Sequence, residues 1–486
     1  MVFGIQTGVA VMFLIRKEDV EPSDCQIFYT EMDDFWRKEQ KLQWFNENKF
    51  EKIPFQKITP NKSNNWINLS SNEWETLIDI KKIFSKISPA VNTARDEWVF
   101  DQSIESLSNK IRYFIKEYNS FVVGGKTNFI ETIKWSAALK GHFDKKRKLP
   151  SFDNELLIPF EYRPFKNLKY YSDKMLSDRL TINHYEMFGN NLSESNKIIL
   201  LNAASGGQKP FSIFCSDILA PFQFFVDPTQ CISLYRYPND SLKSNITDWG
   251  LEQFQNHYSS HGHAELVSAS KQATKKILKR VQDDTNNKQI TKEDIFHYVY
   301  GVLHNPAYRK KYELNLKREF PRFPFYKDFW KWAKWGKDLM NLHIHYEDEK
   351  EYALKRIDEK PKEKKENHKT FFPKVKEPEQ MFSTQAKIKV KLKADKETGT
   401  IEIDEITKLK SIPKEAWEYK LGNRSALEWI LDQYKEKKPK DKTIAAKFNT
   451  YRFADYKEHV IQLLKKVTTV SNETMKIIRE MEREKE

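Results

Sequence analysis

The chain opens on apolar residues with no lead-in: Val2 to Ile15 reads Val-Phe-Gly-Ile-Gln-Thr-Gly-Val-Ala-Val-Met-Phe-Leu-Ile, before Arg16 and Lys17. A strand hydrophobic on both faces needs a strand on either side and helices above and below. Such a strand at the very start is expected to lie inside a domain, so Met1 reads as a start part-way through one. The next apolar run, Cys25 to Thr30, follows a short charged turn from Arg16 to Asp24. The two runs are expected to form an antiparallel pair.

The 486-residue chain has room for roughly three domains of about 150 residues. Lys and Arg number 83 against 69 Asp and Glu, a formal charge of +14, which favours a polyanionic partner such as nucleic acid over an acidic one. Only Cys25, Cys215 and Cys231 are present, too far apart for a disulfide framework or a Cys-x-x-Cys zinc site, and a reducing, cytoplasmic setting is expected. Val9 to Ile15 is far shorter than the about 20 apolar residues a bilayer span requires, and no basic leader precedes it, so no membrane segment is expected. Aromatics make up 14% of the chain, a proportion that serves base stacking and a Phe/Trp-rich core equally well.

Periodicity divides the rest. Phe35, Leu42 and Phe45 predict a helix within 31–48, and the Pro- and Asn-containing stretch 52–68 reads as a loop. Trp74 to Phe84 predicts a helix; Ile104, Leu107, Ile111, Phe114 and Ile115 predict a cleaner one, capped by Asp101 or Ser103. A further helix is expected from Asn128 to Lys140, ending at Gly141, ahead of the basic run Lys145 to Lys148. From Leu156 to Tyr237 the pattern changes to short apolar runs, Ile198–Leu201, Phe211–Cys215, Phe222–Val226 and Ile232–Tyr237, read as strands. Helices resume from Thr291 to Tyr346, with breaks at Pro306 and at Pro321 to Pro324. Glu347 to Glu379 has the composition of a solvated linker. Beyond it, a hairpin pairs Ala386–Leu392 with Gly399–Ile403, and helices are expected at 425–437, at 455–466 and from Asn472.

Several motifs of self-contained chemistry are absent: there is no Gly-x-Gly-x-Gly loop, no Gly-x-x-x-x-Gly-Lys-Ser/Thr loop and no His-Glu-x-x-His helix. Gly206-Gly207 reads as a turn between strands rather than a phosphate cradle. His304-Asn-Pro-Ala-Tyr308 has the outline of the Asn/Asp-Pro-Pro-Tyr/Phe loop with which amino methyltransferases hold a flipped base, but its flanks are helical and Pro306 suits the first turn of a helix. His257, His261 and His263 lack ligand partners at metal spacing and read as a polar loop. Arg95, Arg147, Arg163, Arg179, Lys209 and Arg236 fall in or near expected loops beside aromatics. Arg reads guanine O6 and N7 with two hydrogen bonds while Lys anchors phosphate, so these six are the candidate DNA-binding residues, solvated surface charge being the alternative for each. No catalytic, cofactor-binding or metal-binding residue is singled out.

Phe3-Gly-Ile-Gln-Thr-Gly-Val-Ala-Val11, Glu161-Tyr-Arg-Pro-Phe165 with Tyr170, Tyr171 and Arg179, Tyr298 to His304 running on to Phe320-Pro-Arg-Phe-Pro324, Arg424-Ser-Ala-Leu-Glu-Trp429 and Val470-Ser-Asn-Glu-Thr474 together resemble the C-terminal part of Type ISP restriction-modification enzymes. In that family one polypeptide carries a nuclease, a helicase-like ATPase, an adenine-N6 methyltransferase and a target-recognition region. The resemblance implies a mixed α/β and α+β fold: a remnant of a Rossmann-like methyltransferase sheet, then a mixed target-recognition domain, then a helical C-terminal region. It implies a truncated methyltransferase end at 1–50, a mainly helical connector at 51–155 and a recognition region at 156–346. A charged linker at 347–380 and a hairpin with helices at 381–486 complete it. Ser88 to Asp96 resembles a loop that often carries Gly in this family, and Ser259 to Gln289 resembles an inserted mobile repeat, expected as a surface excursion.

The implied function is recognition of a double-stranded DNA target without catalysis by this chain alone. S-adenosylmethionine, ATP and Mg²⁺ belong to the full-length family, and the implied partner besides DNA is an upstream methyltransferase and helicase portion. Two alternatives stay open. One is a complete or partial S-adenosylmethionine-dependent methyltransferase using His304 to Tyr308; the other is a structural or RNA-binding protein whose charge is incidental.

Overall fold

The computed structural model describes residues 10–16, 25–32, 36, 38–60, 66, 73–124, 132–202, 210–268, 289–359 and 388–484. They fall into two compact units, Met1–Glu73 and Trp74–Glu486. In the first unit the strand Ile27–Tyr29 pairs antiparallel with Gln56–Ile58, Ile27 opposite Ile58, and the helix Lys38–Glu47 falls between them in sequence. The expected partner, 9–15, does not pair where it is described, from residue 10: Val11 to Ile15 is irregular and exposed. Pro54 and Pro60 keep the intervening residues out of a helix, so part of the stretch read as a loop extends and takes the ladder instead. Residues 1–9 and most of the charged turn, 17–24, lie outside the described residues.

The second unit is a mixed α/β arrangement of small sheets and helices. At its centre an antiparallel sheet runs in the order Ser88–Pro89, Gln230–Ser233, Ile198–Leu201, Ile213–Ser216. Every residue of Ile198–Leu201 is buried, and alternate side chains feed opposite cores. Ile198, Leu200 and Phe214 enter one, while Ile199, Leu201, Ile213, Cys215 and Ile232 enter the other. A period-two strand buried on both faces reads as a continuous apolar run, which is why Ile-Ile-Leu-Leu is recognisable as a strand. The first core is closed by the helix Ile104–Gly124, by a three-stranded sheet of Phe100–Asp101, Lys166–Tyr171 and Leu157–Arg163, and by the C-terminal helices. The second is closed by the helices Lys292–Val302 and Phe329–Ile344. These two touch backbone to backbone at Gly301 and Gly336, where a Cβ on Gly336 would stand 1.8 Å from the His297 carbonyl oxygen.

Several expectations need correction. Phe222–Val226 is not a strand: Phe224 donates to the Pro221 carbonyl and Val226 to that of Gln223, so the run coils into turns that bury Phe224 and Phe225. Trp74–Phe84 is a 3-10 turn, a two-residue strand and the single helical turn Ile80–Ile83, because Asp79 accepts from Lys81 N–H and starts the helix late. Asn128–Lys140 is replaced, where described, by the helix Ala137–Asp144, with Ser136 as its cap and Gly141 inside it. His257, with 261 and 263, belongs to the helix Asp248–Ser268, not to a loop; the His257 ring stacks 4.0 Å from Phe325. Inside the presumed linker, Lys355–Asp358 is the edge strand of a sheet with Thr407–Lys410, Thr400–Asp404 and Val390–Asp395. The two last helices are one, Lys457–Arg483. Its polar middle persists because Thr468 and Ser471 donate back to Leu464 and Val467 carbonyls within the helix. Most of the 259–289 segment, from 269 to 288, lies outside the described residues.

Other expectations hold. Ser106 N–H donates to Ser103 Oγ and Ser103 N–H to Asp101, so both predicted caps serve the Ile104 helix. His304–Tyr308 is a helix junction: Asn305 accepts from Ala307 N–H, Pro306 opens the next helix, and Asn305 Nδ2 donates to Tyr326. A buried, fully bonded Asn at a helix start is not disposed as a base-holding loop.

Candidate nucleic-acid interface

Leu201, Gln230, Pro89 and Ile213 lie in register across one end of the central sheet. The segments leaving that end are therefore brought together by the strand pairing itself: 90–96, 202–212 and 221–229. Ala90 N–H donates to Thr229 O, Val91 N–H to Ala220 O and Phe222 N–H to Val91 O. A fourth segment joins them where Arg179 N–H donates to Asn92 O at 2.8 Å. His184, on the helix Ile182–Phe188, fixes this junction by bonding Thr181 N–H and lying 3.1 Å from Pro89 O. Burial pulls its imidazole down to about 4, so it stays neutral and can accept.

Each loop is tied from below. Asn202 bridges the stem of 203–209, donating to Pro210 O and to Asp227 Oδ2 while accepting from Ser212 N–H. Asp173 accepts from Met175 and Leu176 N–H at 2.8 and 3.0 Å, which turns 173–176 back on itself. Burial raises its carboxyl and these bonds oppose the rise. Ala94 takes φ +58°, the left-handed region that costs a side chain and that glycine enters freely, in the loop that resembles a Gly-bearing one. Val226, half exposed, takes φ +56° on the neighbouring loop. Two non-glycine residues in this region at one sheet end are the local strain that functional loops carry.

Of the six candidate cations, Arg95 lies inside. Its guanidinium pairs with Asp178 Oδ1 at 3.0 Å, donates to Ser136 Oγ at 2.6 Å and reaches the Thr93 and Lys134 carbonyls. Burial lowers its pKa from the ordinary arginine value, and Asp178 opposes that. Arg147 and Arg179 are exposed, as is Lys174. Arg147 is held by its backbone, N–H to His142 O and O from Tyr118 OH, which leaves its side chain to solvent. Arg147, Lys174 and Asp178 line one cleft of about 350 Å³ with His142. Arg163 lies at the hairpin tip, its guanidinium 4.2 Å over the Tyr162 ring, and Tyr162 OH reaches Asp96 of the same loop cluster. Arg236 is at the other end of the sheet, beyond Ser233, paired with Glu186 beside Lys86. Lys209 lies outside the described residues, though its loop leaves from the cluster end.

A family model described as the Type ISP C-terminal specificity domain matches residues 82–463. The chain belongs to this family. Three solved structures carry a similar fold. The cryoEM structure of a DrdV–DNA complex is 38% identical, with a TM-score of 0.76 over 95% of this chain. The ATP-dependent Type ISP restriction-modification enzyme LlaBIII bound to DNA is 26% identical, TM-score 0.65 over 88%. A nuclease-deletion mutant of the Type ISP enzyme LlaGI with a DNA substrate mimic, 22% identical with a TM-score of 0.67 over 95%, shares the fold. This chain spans 44%, 25% and 39% of those chains. No curated protein matches it.

Within this Type ISP specificity domain the structure adds residues that spacing does not mark. Asp178 and Ser136 lie 83 and 41 residues from Arg95, and no periodicity connects them. Lys174 follows the Tyr170-Tyr171 motif closely enough that the motif was its one available signal. Among the described residues no helix is long and apolar enough to cross a membrane.

Proposed function

We propose that this chain recognises a double-stranded DNA target as the specificity part of a Type ISP restriction-modification enzyme, gripping DNA with the loop cluster at the end of its central sheet. One observation carries the reading: Arg147, Lys174 and Arg179 stand exposed on loops that buried bonds hold rigid, in a specificity-family chain of charge +14. Preorganised cations lose little entropy on meeting phosphate. Arg163 extends the same surface, Arg95 braces it, and Arg236 contributes from the opposite end; Lys209 is assigned to phosphate on its residue type alone. The similar solved structures, which hold DNA or a DNA mimic, support the choice of nucleic acid.

The same reading assigns residues 1–50 to the closing edge of a methyltransferase sheet, 51–155 to a connector, and 156–346 with 381–486 to recognition, on the motifs from Phe3 to Val11 and from Glu161 onward. The sequence offers S-adenosylmethionine, and ATP with its Mg²⁺, no Gly-rich nucleotide loop. We assign these cofactors to other parts of the enzyme.

Titration of the whole chain against random duplex at increasing salt tests the proposal. Binding should weaken steeply, log K falling with log salt at about −0.9 per phosphate contacted. Absence of binding at low salt, or indifference to salt, refutes it.

A further inference from the structure

An acidic side chain in a cleft offered to DNA is out of place unless it meets something other than phosphate. Asp178 lines the cleft with Arg147, Lys174 and His142, and Met175, Ser177 and Leu180 complete its wall. Against phosphate a carboxylate is repelled; against the edge of a base it is the acceptor that an exocyclic amine requires.

The bonding around Asp178 is directional. Ser136 Oγ accepts from Leu139 N–H at 3.2 Å and from Arg95 Nη2 at 2.6 Å, so its one proton is donated to Asp178 Oδ1, 2.8 Å away. Arg95 Nη2 donates to the same oxygen at 3.0 Å. Oδ1 is thus doubly anchored, while Oδ2 makes no bond to a described residue, and the side chain is 17% exposed. The Arg95 charge, wholly buried beside it, offsets part of the repulsion an approaching phosphodiester backbone would feel. His142 adds a second unspent group: its Nδ1 is buried with no hydrogen-bond partner. Burial, with Arg147 and Lys145 nearby, lowers its pKa, so the ring is neutral at pH 7.

Resting on the DNA-recognition reading above, we propose that Asp178 is a specificity-determining residue. Its Oδ2 accepts from the exocyclic amine of one cytosine or adenine in the major groove, while Arg147 and Lys174 hold the neighbouring phosphates. The pairing of a pinned oxygen with a presented one sets the polarity of the contact.

That polarity makes Asp178→Asn a sharp test. Arg95 and Ser136 both donate to the pinned position, so the amide oxygen must sit there and the NH2 must occupy the place of Oδ2. An acceptor becomes a donor, and the preferred base should change from one presenting an amine to one presenting a carbonyl, guanine or thymine. The whole wild-type chain and the D178N chain are each used to select from a randomised duplex pool. The expected result is two consensus sequences differing at one position, with at least a tenfold loss of D178N affinity for the wild-type consensus. A weaker fold lowers binding to every duplex alike and cannot exchange one base for another. As a companion, Arg147→Ala should weaken all sequences equally and reduce the salt slope by about one. If D178N selects the wild-type consensus, or the wild type binds with no consensus, the Asp178 assignment fails while DNA binding stands. If the wild type binds no duplex at low salt, both fail.

Discussion

Arg95 shows how one buried cation organises an exposed surface. It joins the 92–96 loop, the start of the Ala137–Asp144 helix and the 173–181 segment through Thr93, Ser136 and Asp178. Removing its charge strands Asp178 in a largely buried site and frees Ser136, and breaking such a pair is costly because one desolvated charge remains. Arg95→Met, which keeps the apolar stem, should lower stability by about 2–3 kcal/mol, read as a shift in urea midpoint. Arg179→Ala, at an exposed side chain on the same junction, should change stability by less than about 0.5 kcal/mol while weakening DNA binding. Equal losses of stability in the two would refute the division of labour. At this scale the sequence was half legible: arginines in loops beside aromatics are visible, but which are buried depends on partners such as Asp178, and no local pattern encodes those.

The elements are legible where one face or one period dominates. The Ile104–Gly124 helix announces itself because Leu107, Ile111, Phe114, Tyr118 and Phe121 line one side, and all are buried. Lys355–Asp358 does not, because an edge strand of Lys-Arg-Ile-Asp owes its conformation to its ladder and to the Arg356 bond with Glu458, both supplied from far along the chain. Phe222–Val226 misleads for the converse reason: its apolar side chains are buried by a coiled loop rather than a pleated strand. The helix pair Lys292–Val302 and Phe329–Ile344 adds a constraint invisible in its aromatic-rich sequence, since the crossing passes through Gly301 and Gly336. A methyl group on Gly336 would strike backbone atoms on both His297 and Gly301, which no side-chain rotation relieves. Gly336→Ala should therefore cost about 3 kcal/mol or more, and Gly301→Ala, whose Cβ would stand 2.6 Å from Trp332 O, somewhat less. Denaturant titration of the two variants gives the order, and a neutral Gly336→Ala would contradict the close crossing.

Across the whole molecule, buried imidazoles set how it responds to acid. His184 and His297 are pulled to about 4 and His343 to about 3, each chiefly by burial, and His304 is driven well below its ordinary value by burial and by Arg309. His343 sits between Tyr300 and Thr474, with Tyr419 stacked on its ring, so protonation would place a charge in the centre of the fold. In the unfolded chain all four titrate near 6.5. The unfolded state therefore gains protons first as pH falls, and stability that is complete above about 6.5 is lost progressively down to about 4, and for His343 down to about 3. His184, His297 and His343 each contribute roughly 2 kcal/mol of that loss between pH 7 and 5, and His304 adds to it. Glu161 works the other way: burial raises its carboxyl well above the ordinary value, so it takes up its proton at a higher pH in the fold than in the unfolded chain and contributes relative stability as pH falls. Lys166, lowered to about 7 by burial, has its largest effect between pH 10 and 7 and adds little below. The raised carboxyls of Asp173 and Asp217 side with Glu161 and the lowered imidazoles of His142 and His459 with the four losses, so the urea midpoint should fall from pH 7 to pH 5. His343→Gln, uncharged at any pH, should reduce that fall by roughly 2 kcal/mol even where it lowers stability at pH 7. An unchanged slope in the variant would show that His343 is not among the groups that couple this fold to protons.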